Sequence, residues 1–287
     1  MKRLNLLGVG VSFLVLISGC AQREGVDELY DERPPEITEY MKAPSVLVFS
    51  KTMGWRHNEG IAGADLFFAK LSEERGYGLF TTSNGAVFNG DDLAKFDVVV
   101  FNNVSGEVLN TSQREAFKVW LLAGGGWIGL HGSGAERLGS WDWYHDALIG
   151  ADFIGHIMAP QIQNAKIHTL VEAHPVLEGV QSGWEVADEW YSFDKVPDQS
   201  RFKLLLGLDE GSYSPQNTVV DRWPENLEMG DLPEQHPIAW ASCHGAGRAV
   251  YSAIGHGYEN YENNNYALFM KNAFDWVAGT ANKSDCP

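Results

Sequence analysis

Three histidines of this chain stand where an imidazole could take part in chemistry. His57, His131 and His256 each follow closely on a run of apolar residues. A histidine can act as an acid, a base or a metal ligand near neutral pH. If the apolar runs are parallel strands of one sheet, their carboxyl ends share an edge and the three side chains meet there.

His131 has the most distinctive local setting. It stands within the stretch 123–134, which reads Ala-Gly-Gly-Gly-Trp-Ile-Gly-Leu-His-Gly-Ser-Gly. Glycines let the backbone bend sharply, and a strand-to-helix turn of this kind presents its apex side chain at the sheet edge. Hydrolases and amidotransferases place Ser or Cys at that apex, so a histidine favours an acid, base or ligand role. A histidine hydrogen-bonded inside a strand end is the structural alternative.

Two adjacent acids form the second candidate feature. Asp188 and Glu189 lie between aromatic residues in the stretch 184–191. Neighbouring side chains on an extended segment point to opposite faces, so we expect only one of the two to face a site, and we favour Glu189. The alternative for this pair is a structural hydrogen bond in a cap or loop.

From residue 44 onward the chain alternates strand-like and helix-like segments. We predict strands at 45–50, 77–82, 97–101, 127–130, 166–171, 202–208, 237–242 and 247–254, and helices at 62–75, 112–122 and 264–278. Wholly apolar strands are typical of parallel sheets that are covered on both faces. The pattern therefore predicts an α/β fold with a doubly wound, mostly parallel sheet and helices on both faces. We expect the strands at 45–50, 97–101 and 127–130 to be adjacent and parallel.

The N-terminus resembles a bacterial lipoprotein signal. Lys2 and Arg3 precede an apolar run at 6–17, and the sequence Leu-Ile-Ser-Gly-Cys ends at Cys20. The run is too short for a comfortable membrane span, so a cleaved signal at 1–19 is expected, with an uncleaved anchor as the alternative. Lipid on Cys20 would anchor the protein in the cell envelope, and the following Ala21 favours the outer membrane, facing the periplasm. We expect a flexible tether at 20–43, one domain at 44–280 and a tail at 281–287.

Composition narrows the range of partners. The chain has 21 basic and 38 acidic residues, and without Lys2 and Arg3 the net charge is −19. Nucleic acid and anionic lipid surfaces are therefore excluded as partners, which leaves the N-terminal lipid as the membrane contact. Ten tryptophans are enough for both a core and an aromatic surface that could grip a sugar. Whether Cys243 pairs with Cys286 stays open.

Several segments together resemble the ThuA-like (trehalose utilisation) family. The matching segments are SKTMGWRH at 50–57, AGGGWIGLHG at 123–132, WDWY at 141–144, DEWYSF at 188–193, HPIAW at 236–240 and AIGHGYENY at 253–261. They cover roughly residues 44 to 280. The resemblance implies a flavodoxin-like fold of the class I glutamine-amidotransferase type, and oxidised sugars such as 3-keto glycosides as substrates. The acid that family members carry four residues after the elbow histidine is replaced here by Ala135, with Glu136 next.

A 3-keto sugar has an acidified proton at C2, which a base can remove to start cleavage or isomerisation. Such a site needs a base, a group that polarises the ketone and an acid for the leaving oxygen. We assign His131 as the base, His256 or His57 as its partner, and Asp188 or Glu189 as a tuning or acid group. Arg56 is the donor to the carbonyl. The remaining predicted substrate-binding residues are aromatic: Trp55, Trp190, Tyr191 and Tyr258.

Other readings of the same residues stay open. His57, His131 and His256 with one carboxylate would form a conventional ligand set for zinc, manganese or iron, although no HExxH motif supports it. No cofactor is otherwise indicated, and a divalent metal is the single candidate. A sugar-binding lipoprotein without turnover is the main functional alternative. An amide hydrolase is disfavoured because the apex is His131 and Cys243 belongs to another strand.

Overall fold

A computed structural model describes residues 30–279, except for 39, 40, 136, 137, 139 and 219–222. The predicted signal peptide, Cys20, Glu136 and the predicted tail lie outside the described residues. Cys243 is disulfide-bonded, and Cys286 is also outside that range. Within the described part of the chain, no helix is long and apolar enough to cross a membrane.

Nine of eleven strands form one sheet, in the order β2-β1-β3-β4-β11-β10-β9-β6-β7, and β5 and β8 form a separate ribbon. The strands are β1 (Ser45–Phe49), β2 (Gly78–Thr82), β3 (Val98–Asn102), β4 (Gly126–Leu130), β5 (Phe153–His156), β6 (Gln163–Thr169), β7 (Trp184–Asp188), β8 (Tyr191–Phe193), β9 (Phe202–Asp209), β10 (Pro237–His244) and β11 (Gly247–Ser252).

The first half of the sheet is parallel. β1 pairs with both β2 and β3, β3 pairs with β4, and β4 pairs with β11, all in parallel. The prediction that the strands at 45–50, 97–101 and 127–130 are adjacent and parallel is confirmed. All residues of β1, β3 and β4 are buried, as expected for strands covered on both faces.

In the part of the chain that the structure describes, five α-helices accompany the sheet: α1 (Asn58–Arg75), α2 (Gly90–Leu93), α3 (Thr111–Leu122), α4 (Asp142–Tyr144) and α5 (Asn264–Val277). Phe101 of β3 stacks on Phe117 of α3, whereas Asn102 donates to the carbonyl of Ile61 in α1. Consecutive side chains of a strand point to opposite faces, so α1 and α3 cover opposite faces of β3. A capping box between Asn110 and Gln113 begins α3.

The second half of the sheet is antiparallel, in contrast to the first. β11 pairs with β10, β10 with β9, β9 with β6, and β6 with β7, all antiparallel. The connection from β10 to β11 is only Gly245 and Ala246, and Gly245 has a φ of 60°. So short a connection can join only antiparallel neighbours, because parallel strands require a long crossover.

Part of the segment predicted as a tether lies against the domain. The Asp31 carboxylate contacts the Lys51 ammonium at 2.7 Å and accepts a hydrogen bond from the Gly85 backbone at 2.8 Å. Gln113 donates to the Asp31 carbonyl, and Ile37 is buried. The chain is therefore attached to the body of the protein well before the first strand.

Candidate functional site

The glycine-rich turn after β4 holds His131 in a constrained conformation. His131 has a φ of 40°, a backbone conformation that is uncommon for residues other than glycine and is found at functional sites. Two buried tyrosines fix the turn: Tyr251 donates to the His131 carbonyl and Tyr144 to the Ser133 carbonyl. The backbone strain is therefore held by contacts from β11 and α4.

The contacts of His131 define which ring nitrogen carries the proton. Nδ1 lies 2.6 Å from the carbonyl oxygen of Ala253, so Nδ1 donates. Burial lowers the pKa of His131 to about 3, against a smaller opposing effect of Glu189. The ring is thus neutral, and its Nε2 presents a lone pair. Nε2 is buried without a hydrogen-bond partner in the described residues and lies 3.3 Å from Oε2 of Glu189.

The structure brings the three predicted histidines together. The ring centroids of His57 and His131 are 4.7 Å apart, those of His57 and His256 are 5.2 Å apart, and those of His131 and His256 are 5.4 Å apart. His57 precedes α1 and His256 follows β11, so the carboxyl ends of parallel strands deliver all three. His131 is fully buried, and His256 is only partly exposed.

The adjacent acids Asp188 and Glu189 have different partners. Asp188 accepts hydrogen bonds from the backbone N–H groups of Gly255 and His256, at 2.7 and 3.1 Å. It therefore holds the loop that carries His256. Burial raises the pKa of Asp188 to about 8, although these N–H groups oppose the rise. Glu189 instead turns toward the imidazoles.

Glu189 is the centre of the site, and its two carboxylate oxygens contact different partners. Oε2 lies 3.3 Å from Nε2 of His131 and 3.8 Å from Nε2 of His57. Oε1 lies 3.2 Å from Nδ1 of His156 and 3.9 Å from Nε2 of His256, and it accepts a hydrogen bond from Gln161.

A cavity of about 210 Å³ opens beside Glu189, far larger than the roughly 10–15 Å³ that one water needs. Its lining residues are mostly aromatic or imidazole side chains: Trp55, His57, Ala135, Phe153, His156, Met158, Gln161, Glu189, Tyr191 and Trp223. Tyr191 stacks on the His131 ring at 4.1 Å. Trp55 is 66% exposed. The cavity can therefore admit a small polar molecule against aromatic walls.

Six of the predicted residues are not among those that line this cavity. His131 and His256 lie beside Glu189, and the other four lie elsewhere. Arg56 is exposed and donates to Asn58 and Thr52 within its own loop. The Trp190 indole donates to the Gln163 carbonyl and packs near Tyr213. Asp188 is occupied by backbone N–H groups, and Tyr258 is partly buried at the start of a 3₁₀ helix that packs on α1.

Several lining residues were not predicted as site residues, chiefly His156, Gln161, Phe153, Met158 and Trp223. His156 ends β5, a short strand that contains Gly155 and lacks an apolar run. The Nδ1 atom of His156 lies 3.1 Å from the Ile157 carbonyl as well as close to Glu189. Because both neighbours are acceptors, Nδ1 carries the proton and Nε2 is the basic nitrogen.

The end of β3 also contributes to the site, through Asn102 and Asn103, which were not predicted from the sequence. Asn103 has a φ of 53° and accepts a hydrogen bond from the Gly132 backbone. Asn102 donates to Asp65 as well as to Ile61. The signal that could have found them is the same one that found the histidines, polar residues directly after an apolar strand.

The set that could hold a metal ion is His57, His131 and Glu189. One ligand atom from each lies within 4.8 Å of the other two, and all three residues are buried. Two imidazoles with one carboxylate are a ligand set found in catalytic zinc and iron sites.

A second buried imidazole–carboxylate pair supports the cavity wall from behind. His236 places Nδ1 2.6 Å from Glu210 and Nε2 2.9 Å from the Tyr191 carbonyl. Each ring nitrogen therefore has an oxygen partner, one a carboxylate and one a backbone carbonyl. The pair fixes the backbone of Tyr191, whose ring covers His131.

Comparison with known proteins shows which family the chain belongs to. The family model described as "ThuA: Trehalose utilisation" matches residues 45–277. The chain belongs to this family. A ThuA-like protein from Bacteroides uniformis has a similar structure, with 26% sequence identity and a TM-score of 0.69 over 85% of this chain and 95% of that one. The family description indicates a role connected with carbohydrates.

Two further structures share the fold. A ThuA-like protein from Parabacteroides merdae is 13% identical, with a TM-score of 0.57 over 86% of this chain and 94% of that one. A β-galactosidase from Rahnella sp. R3 is 14% identical, with a TM-score of 0.50, and this chain covers 33% of it. No curated protein matches the chain.

Proposed function

We propose that this ThuA-family protein processes an oxidised sugar, a 3-keto sugar or a 3-keto glycoside, by removing the proton at C2. The observation that carries the proposal is the Glu189 carboxylate beside the aromatic cavity, in contact with His156 and three further imidazoles. Such a group of titratable side chains beside a cavity is suited to proton transfer. The family description of trehalose utilisation supports a sugar as the substrate.

In the proposed reaction, His156 is the base. Glu189 and the Ile157 carbonyl hold the Nδ1 proton of His156, which leaves Nε2 to accept the C2 proton. A carboxylate that orients a histidine in this way also stabilises the imidazolium that forms. His131, the base expected from the sequence, is fully buried with its Nδ1 bound to Ala253, which favours a different task for that ring.

The electron pair of the C2–H bond moves into an enolate on the ketone. In a glycoside, the enolate then expels the C1 oxygen substituent, which takes a proton and leaves as an alcohol. Addition of water at C1 completes hydrolysis. In a free sugar, proton return to C3 yields the 2-keto isomer. Both outcomes share the first step, which needs a positive charge or hydrogen-bond donor at the ketone oxygen.

The first step can be tested by incubating the protein with 3-keto-trehalose or 3-keto-lactose in D₂O and following loss of the C2 proton signal by NMR. We expect exchange or cleavage with the wild type. We expect at least about 10²-fold slower reaction with His156→Gln and Glu189→Gln, the usual scale for loss of a positioned base. His168→Ala, on β6 and away from the cavity, is the control and should react like the wild type.

The sugar-binding alternative predicts a different result. The protein would bind keto sugars without deuterium exchange or release of a product, and the substitutions would weaken binding alone. Complete absence of exchange with every keto sugar tested, in a folded wild-type protein, would contradict the proposed reaction.

A further inference from the structure

We propose that His57, His131 and Glu189 bind one divalent transition-metal ion, zinc or a metal with similar ligand preferences. The proposed task of the ion, to polarise the ketone, rests on the proposed function. Binding itself rests on geometry alone and can be measured without a substrate.

The spacing of the three ligand atoms suits such an ion. Bonds of about 2.0–2.1 Å in a tetrahedral site place neighbouring ligand atoms about 3.3–3.4 Å apart. Nε2 of His131 lies 3.3 Å from Oε2 of Glu189, and Nε2 of His57 lies 3.8 Å from the same oxygen. The ligand atoms of His57 and His131 lie within 4.8 Å of each other, so His57 would move toward the other two ligands to complete the arrangement.

The contacts of His131 supply the independent argument. Its Nδ1 donates to the Ala253 carbonyl, which directs Nε2 at the Glu189 carboxylate 3.3 Å away. Two electron-rich atoms in a fully buried place then approach each other with no hydrogen bond between them. A cation between the two satisfies both. An imidazole whose other nitrogen donates to a backbone carbonyl is also the usual form of a metal-bound histidine.

The surroundings leave room for further ligands. Nε2 of His256 lies 3.9 Å from the second oxygen of Glu189, which makes His256 the candidate for a fourth ligand. His57 and Glu189 line the cavity, so the open side of the ion faces the space where a sugar would bind. A ketone oxygen and a neighbouring hydroxyl could occupy that side, where the ion would polarise the carbonyl.

A different imidazole–carboxylate pair shows what a site without a metal looks like in this chain. Nδ1 of His236 is 2.6 Å from Glu210, and Nε2 of His236 has the Tyr191 carbonyl as its partner. Each nitrogen there already has an oxygen partner, whereas the cluster around Glu189 has an unpartnered buried nitrogen on His131.

Cobalt and zinc are suitable probes. The chelator-treated full chain is titrated with Co²⁺, read by its visible absorption, and then with Zn²⁺ by calorimetry and by displacement of cobalt. We expect one ion per chain, and binding at least about 10- to 100-fold weaker for Glu189→Gln and for His57→Asn, the scale reported even for supporting residues of metal sites. Asp209→Asn is the matched control, because Asp209 faces His168 at 3.9 Å on the surface.

Circular dichroism of each variant separates loss of a ligand from loss of folding. Failure of the wild type to bind either ion in stoichiometric amount, or equal affinity in Glu189→Gln and the wild type, would overturn the metal site. A protein that binds the ion but leaves keto sugars unchanged would refute the proposed reaction and retain the metal site. Full activity of the metal-free protein would refute the proposed task of the ion and retain the proposed reaction.

Discussion

At the scale of single residues, the two ring nitrogens of each buried histidine decide its charge. His236 has an oxygen partner on both sides, Glu210 at Nδ1 and the Tyr191 carbonyl at Nε2. His131 has a carbonyl on one side only, and burial keeps it neutral. His244 is a third case: Ser242 contacts its Nε2, and burial, together with the charge of Arg201, lowers the pKa of His244 to about 4. Neutral rings of this kind make folding sensitive to acid.

His244 gives a pH prediction outside the candidate site. Its folded pKa of about 4 lies below the ordinary value of 6.5, so the unfolded chain binds the proton first as the pH falls. The contribution of the neutral His244 ring to the stability of the fold is therefore fully present above pH 6.5, and it is lost as the pH falls toward 4. Urea unfolding at pH 7 and at pH 5 measures this loss. The free energy of unfolding should fall between the two pH values, and the fall should be about 1–2 kcal/mol smaller in His244→Gln than in the wild type. Equal losses in the two proteins would contradict this assignment.

At the scale of elements, the turn after β4 depends on close packing between its glycines and their neighbours. A Cβ on Gly132 would lie 2.9 Å from Nδ1 of His57, and one on Gly134 would collide with the ring and hydroxyl of Tyr251. That hydroxyl holds the His131 carbonyl. The small residues therefore allow two neighbouring elements to fix His131.

Gly134→Ala should destabilise the protein by about 1–3 kcal/mol, because the added methyl group overpacks the turn against Tyr251. Gly90→Ala, at the start of α2, is the matched control, since no atom lies within 4 Å of the added Cβ, and its effect should stay within about 0.5 kcal/mol. Chemical denaturation of both variants measures the difference. If Gly134→Ala were as stable as the control, the turn would be able to move away from Tyr251, and the predicted overpacking would be wrong.

The elements that could be predicted from the sequence are those with a continuous pattern. β1, β3 and β4 each carry a continuous apolar run flanked by turn residues, so their position and parallel order could be predicted. β5, β7 and β8 were missed because they are short or alternate with polar residues, and β5 contains Gly155. His156 belongs to β5, so a residue that contacts Glu189 was missed together with its strand. The alternation that separates Asp188 from Glu189 was predictable, but the partners of each were not, because they come from distant loops.

At the scale of the whole molecule, the cavity joins two parts of the fold. Trp55 and His57 belong to the loop between β1 and α1, whereas Phe153, His156 and Tyr191 belong to the β5–β8 ribbon. Glu189 precedes the ribbon strand β8 and contacts both groups. The site is therefore complete only when the ribbon lies against the parallel half of the sheet.

The location of the whole molecule is a separate proposal, which is supported by the sequence that ends at Cys20. We propose that this cysteine is lipidated and anchors the domain in the cell envelope. In a bacterial host, Cys20→Ser should move the protein from the membrane fraction to the soluble fraction, whereas Ala21→Ser, which keeps the cysteine, should leave it in the membrane. Retention of the Cys20→Ser protein in the membrane would argue against the anchor.

The exposure of Trp55 has an optical consequence. Trp55 is 66% exposed on the cavity wall, whereas Trp127, Trp240 and Trp276 are fully buried. Fluorescence from an indole in water is emitted at longer wavelength than fluorescence from an indole in an apolar core. A ligand that covers Trp55 should therefore shift part of the emission to shorter wavelength. The intrinsic tryptophan fluorescence of the protein can thus report whether the cavity is occupied.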